Sequence, residues 1–187
     1  IAKTSGRAID GVEVLVVGEN GSETQAGEPG EVVIRGYNIM RGYLDDPEQT
    51  AETIDQDGWL HTGDIGIMDS NGYLDITDRK KDMIITGGFN VYPAEVENSL
   101  MNHPEIAQIA IVGAPDERLG EIAVAFIVPA KQTDPTEADL INWAREHIAN
   151  FKVPRQVIFV ENLPTNASGK VLKFELRESI NDSKQVD

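Results

Sequence analysis

Asn166-Ala167-Ser168-Gly169-Lys170 is a loop of small residues that presents one ammonium group. A flexible loop of this kind can bring the Lys170 ammonium against a phosphate and a carboxylate oxygen together. There it would offset charge developing at phosphorus as a carboxylate attacks. The loop lacks the first glycine and the trailing Ser/Thr of a P-loop. Taken alone, it reads as a surface lysine beside a turn glycine. Thr62-Gly63-Asp64 offers a second chemistry. A carboxylate such as Asp64 can accept hydrogen bonds from both hydroxyls of a ribose diol, and Gly63 would let the backbone approach the ligand. An Asp-capped turn is the plainer alternative. Arg79 adds a planar donor suited to a ribose or a phosphate; by composition alone, Arg79-Lys80-Lys81 is solvated surface. Gly87-Gly88 permits positive φ and close backbone approach, in a ligand site or in an ordinary hairpin turn.

Other chemistries are excluded. The chain has no Cys, so disulfides, thiol nucleophiles and zinc-thiolate sites are ruled out. His61, His103 and His147 show no metal-ligand spacing. No Gly-x-Ser-x-Gly elbow is present. The acidic turn Asp69-Ser70-Asn71-Gly72 lacks the spacing and closing Glu of a calcium loop. Trp59 and Trp143 read as packing residues.

The elements that must carry these residues follow from pattern. Residues 11–17 and 30–35 are rich in Val and Ile and read as strands. Asp46-Pro47 opens a short helix through residue 53, with Asp46 as N-cap. Asn71-Gly72 closes a hairpin between 65–68 and 73–76. Residues 93–101 read as a helix, and 106–112 and 122–128 as strands, with a turn at 113–116. Residues 136–150 form an amphipathic helix whose stripe includes Leu140, Ala144 and His147. Thr136 and Asp139 form its capping box. A strand at 157–160 and a helix at 171–180 follow, and the polar tail 181–187 is expected to fray. The fold class is α+β. A β-rich part spans 1–78, a small mixed α+β domain spans 79–187, and the boundary falls at Asp78–Asp82.

The formal net charge is -16 over 187 residues, which argues against a nucleic-acid partner. Residues 1–78 hold 4 Lys/Arg and 16 Asp/Glu, net -12; residues 79–187 hold 12 and 16, net -4. The cations cluster at Arg79-Lys80-Lys81, Lys152/Arg155 and Lys170/Lys173/Arg177, so a polyanion could find a local positive site in the second part. No apolar run approaches the roughly 20 residues of a membrane span, and Ile1 to Gly6 do not read as a signal peptide. A cytoplasmic location is the expectation.

Three stretches carry a family resemblance, in order: Gly58-Trp59-Leu60-His61-Thr62-Gly63-Asp64, Asp78 through Glu97, and Leu163 through Lys173. Together they resemble the acyl-activating, adenylate-forming ligases, most closely the C-terminal part of a fatty-acyl-CoA synthetase. The resemblance implies that 1–78 is the closing β-rich subdomain of a large N-terminal domain and that 79–187 is a small mobile C-terminal domain joined to it by a hinge. It implies that Lys170 is the catalytic adenylation lysine. Asp64 and Arg79 would bind ATP and AMP, Lys81 would be the hinge pivot, and Gly87 and Gly88 would lie beside the pantetheine arm of CoA. Some relatives carry Lys at the position of Ile85, so the role of that lysine is not transferred.

The implied reaction joins a carboxylate, ATP and CoA in two steps, through acyl-AMP and pyrophosphate to acyl-CoA and AMP. The wording Asp82-Met83-Ile84-Ile85-Thr86-Gly87-Gly88-Phe89-Asn90-Val91-Tyr92-Pro93 is similar to that of fatty-acyl-CoA and aryl-CoA ligases, and a medium- or long-chain fatty acid is the expected carboxylate. A fatty substrate often implies peripheral membrane contact, but no basic amphipathic helix shows it. The family's Ser/Thr/Gly-rich phosphate loop, its Tyr-Gly-x-Thr-Glu stretch with a magnesium ligand, and almost all of its acyl pocket have no counterpart here. The chain is therefore expected to be a fragment, inactive alone, with the Mg2+ ligand elsewhere in the parent protein and no metal site of its own. Two alternatives remain: a ligase that loads a carrier protein, and a non-catalytic module binding a nucleotide or partner. The sequence does not give the oligomeric state.

Overall fold

The computed structural model describes residues 4–184; residues 1–3 and the last three residues of the polar tail lie outside the described part. The chain divides into two compact units, Ile1–Lys81 and Asp82–Asp187.

The first unit is built on a four-stranded antiparallel meander, β1 (Val12–Val17), β2 (Pro29–Gly36), β3 (Leu60–Met68) and β4 (Leu74–Arg79), in that spatial order. Val16, Val17, Val32, Val33 and Ile65 are its buried apolar residues. The short helix α1 (Pro47–Thr53) begins as the sequence predicts: Pro47 opens it, and Asp46 Oδ1 accepts from Gln49 N at 2.9 Å. The turn between β3 and β4 is held by Asp69 Oδ1, which accepts from Asn71 N and Tyr73 N. The acidic run is thus a capped turn.

Two register breaks shape this sheet. Glu31 pairs with Ile65 and Val33 with His61, so Thr62, Gly63 and Asp64 of β3 stand opposite Val32 alone, two residues more than a regular ladder holds. A second break lies on β4 between the partners of Ile65 and Gly66. Bulges of this kind re-aim side chains out of a regular ladder.

The second unit has a mixed sheet. β6 (Phe89–Val91), β5 (Ile84–Thr86), β8 (Gly120–Pro129) and β7 (Ile106–Asp116) pair antiparallel in that order, and β9 (Gln156–Phe159) lies parallel to β8. Side-chain alternation along the two long strands divides the core. Ile109, Ile111, Ala123, Ala125 and Ile127 pack with Val96 and Leu100 of α2 (Pro93–Leu100) and with Leu140 and Ala144 of α3 (Glu137–His147). Ala110, Val112, Val124 and Phe126 pack with Leu176 and Ile180 of α4 (Lys173–Lys184). Helices therefore cover both faces of an α+β layer structure.

Two expectations are corrected. Residues 113–116 are not a turn: β7 runs through Gly113 and Pro115 to Asp116, and the chain reverses at 117–119. β7 is an edge strand, where the missing N–H of Pro115 is tolerated. His147 is not a core residue. The helix stops there with Ile148 extended, and the exposed His147 ring instead stacks on Trp143, centroids 3.7 Å apart.

Candidate nucleotide and acyl-transfer site

The first unit brings two predicted residues together. Asp64 on β3 and Arg79 on β4 are register partners, and Arg79 Nε lies 2.8 Å from Asp64 Oδ1. The bulge makes this possible. Gly63 has φ 68, a left-handed value costly for any residue with a Cβ. Thr62 Oγ1 donates to Val32 O at 2.7 Å and accepts from Asp64 N at 3.1 Å. Asp64 remains partly exposed, and an ionised carboxylate has about four acceptor positions, so the pair leaves lone pairs for a diol. Gly63, Arg79, Lys80 and Lys81 line an open concavity of about 350 Å³ beside it.

Sequence reasoning missed the group beneath this pair. Glu31 on β2 is 8% exposed. Its Oε2 lies 2.8 Å from Lys80 Nζ and 3.0 Å from His61 Nδ1, and its Oε1 accepts from Gly63 N at 3.3 Å. Burial pushes this carboxyl up, but hydrogen bonds from Lys80 and then His61 outweigh it and hold Glu31 below the usual glutamate value of 4.5. The available signal was a carboxylate at the head of the Val-Val-Ile run of a strand, where unpaired charge is rarely buried.

A depressed folded pKa gives stability that is complete above the unfolded value and lost as pH falls through the folded one. Wild type should therefore exceed Glu31→Gln in stability by about 1–3 kcal/mol near neutrality, with the gap closing as pH drops below about 4.5. Denaturant unfolding followed by Trp59 fluorescence in a Trp143→Phe background reads this unit alone. A gap independent of pH would contradict the assignment.

Lys81 lies at the unit boundary, exposed and with no ion-pair partner among the described residues. Its neighbours are both fixed: Lys80 to Glu31 within the first unit, and Asp82 to Arg177 within the second.

The remaining predicted residues lie in the second unit. Gly87 and Gly88, with φ 58 and 85, form the two-residue turn that pairs Thr86 with Phe89. Positive φ at both central positions is the type I′ geometry that matches strand twist. Gly87 N donates to Leu119 O at 2.8 Å. Exposed Ile85 and Phe89 flank the turn, and Phe89 stacks on Phe151 at 4.7 Å.

Lys170 is exposed, and its loop is more ordered than the sequence suggested. Asn166 Oδ1 accepts from Ser168 N, Ser168 Oγ and Lys170 N at 2.7–3.0 Å. Asn166 N donates to Lys170 O and Gly169 N to Asn166 O, each at 2.9 Å. An Asx turn thus fixes the backbone and leaves the ammonium free to reach. Among the described residues no group of three His, Asp or Glu could hold a metal ion. No helix among the described residues is long and apolar enough to cross a membrane.

Residues 1–44 match the AMP-binding enzyme family and residues 95–170 match the AMP-binding enzyme C-terminal domain. A CoA ligase of Rhodococcus jostii, named for a methyl-dioxo-octahydroindenyl propanoyl group, is 54% identical over 95% of this chain and 33% of its own length. A feruloyl-CoA synthase of Amycolatopsis is 46% identical over 88% of this chain and 33% of its own. ATP-bound MatB from Rhodopseudomonas palustris superposes with a TM-score of 0.89 at 39% identity, covering 96% of this chain and 36% of that one. The chain thus spans about a third of the length of the curated relatives it matches.

Proposed function

The chain belongs to the AMP-binding, adenylate-forming enzyme family, and from that premise we propose that it supplies the closing third of an ATP-dependent carboxylate–CoA ligase. The Asp64–Arg79 pair, set on a bulge beside an open concavity, is the observation that carries this reading. In the first step a carboxylate oxygen attacks the α-phosphorus of ATP. The new acyl–oxygen–phosphorus link forms as the bond to pyrophosphate breaks. Asp64 accepts from the ribose hydroxyls, Arg79 holds it and adds a donor, and the Lys170 ammonium offsets charge on the reacting oxygens. In the second step the sulfur of CoA attacks the acyl carbon. AMP leaves and the thiol proton goes to solvent. The Gly87-Gly88 turn lets the pantetheine arm pass close to backbone.

Lys170 and the glycine turn lie on different loops of the second unit, so one unit serving both steps calls for rotation about a hinge. Lys81 is that pivot. The ion pairs of Lys80 and Asp82 restrain the residues on either side and concentrate backbone change at Lys81. The first unit is the end of a larger domain. Both faces of its sheet carry open apolar concavities of about 350 and 330 Å³, and Leu44 and Tyr37 are 92% and 75% exposed. Surfaces of this kind call for cover.

A fatty acid is the substrate that the hinge wording favours, and the names of the two ligase relatives place ring-bearing acids beside it in the test. ATP–pyrophosphate exchange by the full-length protein, with short, medium, long and aromatic acids, should follow one class. Exchange with none of them would defeat the proposal.

A further inference from the structure

We infer that Glu31 is a positioning residue for the nucleotide: its buried carboxylate ties the Thr62–Asp64 bulge to Lys80 and so sets the Asp64–Arg79 pair. The inference rests on the nucleotide reading of that pair. Gly63 and Lys80 directly adjoin the two residues in question, and His61 opens the same bulge. His61 and Gly63 precede Asp64 on β3, and Lys80 follows Arg79 at the end of β4. The two carboxylate oxygens divide the work. Oε1 takes the Gly63 backbone at 3.3 Å, and Oε2 takes Lys80 at 2.8 Å and His61 at 3.0 Å.

A carboxylate among valines is a poor way merely to hold a sheet, because apolar residues of similar volume often stabilise as well or better. It is suited to fixing direction. The bulge gives β3 three residues opposite Val32, slack that the regular ladder does not constrain. Two holds remove it: the Thr62 hydroxyl on Val32 O and the Gly63 N–H on Glu31. On the other strand, Glu31 engages the Lys80 ammonium and so fixes the residue that follows Arg79. Neutralising Glu31 loosens both members of the pair at once, without removing any group that touches the nucleotide.

The test uses the full-length ligase carrying Glu31→Gln, Lys80→Met, or Glu13→Gln. The last breaks the exposed Glu13–Arg35 pair of the same sheet and serves as the control. ATP–pyrophosphate exchange gives KM for ATP and for the carboxylate separately, and calorimetry gives AMP affinity. Groups that orient a ligand-contacting residue commonly cost about tenfold or more when removed. Glu31→Gln should raise KM for ATP and weaken AMP about tenfold. Lys80→Met should shift both in the same direction by less. KM for the carboxylate, and every constant of Glu13→Gln, should stay at wild-type values.

A merely structural role would lower the melting temperature and leave KM for ATP alone. That result in folded Glu31→Gln overturns the inference. If Glu31→Gln does not fold, Lys80→Met decides, because Lys80 is half exposed and its loss leaves the strands intact; an unchanged KM for ATP there also overturns it. Exchange abolished by Lys170→Ala but indifferent to Glu31 would sink this inference alone. A wild-type protein that neither binds AMP nor catalyses exchange would sink it together with the function on which it rests.

Discussion

Lys170→Ala in the full-length protein is expected to cut ATP–pyrophosphate exchange by about 10²–10³-fold, the range for losing one preorganised donor to developing charge. The fold should not suffer. Lys170 is exposed, and its loop is shaped by the Asn166 side chain and by backbone hydrogen bonds that a change beyond Cβ leaves in place. The loss should appear in kcat, with little change in KM for the carboxylate, because the ammonium acts on charge that forms only as the phosphorus is attacked. Synthetic acyl-AMP should still pass to CoA in the variant. Equal damage to both half-reactions, or none to the first, would remove Lys170 from the adenylation step.

Gly88→Val should do the reverse, slowing transfer from acyl-AMP to CoA by about 10²-fold while exchange persists. A Cβ at Gly88 meets nothing within 4 Å, so the chain itself has room for it; the obstacles are φ 85 and the space a ligand needs. Valine suffers from both. Gly88→Asn separates them, since Asn tolerates the left-handed region yet still fills the approach. If both variants slow transfer, the backbone lies against the pantetheine arm. If only valine does, the turn matters for its shape alone.

How much of this was legible in sequence varied with the kind of signal. Helix starts were plain: Asp46-Pro47 opens α1, and Thr136 with Asp139 opens α3, because caps are local hydrogen bonds between near neighbours. The type I′ turn at Gly87-Gly88 is equally local. The turn expected at 113–116 failed because Gly113 and Pro115 are compatible with a strand at the sheet edge, a position that only the strand order shows. At the edge position, Pro115 loses no ladder bond, and Gly113 accommodates the Glu121 side chain, 3.1 Å from where a Cβ would sit. His147 was placed in the core by periodicity, but the helix ends on it. Thr62-Gly63-Asp64 could be named as chemistry but not recognised as a bulge, since its two extra residues exist only relative to β2. Glu31 was missed for the same reason. Its partners lie 30, 32 and 49 residues away, and no spacing along the chain records them.

The central claim is most directly tested by the products. The full-length protein, given the carboxylic acid that supports exchange together with ATP and CoA, should release AMP and acyl-CoA in equal amounts, identified by mass spectrometry. ADP in place of AMP would contradict adenylate chemistry, and AMP formation without any thioester would contradict the ligase.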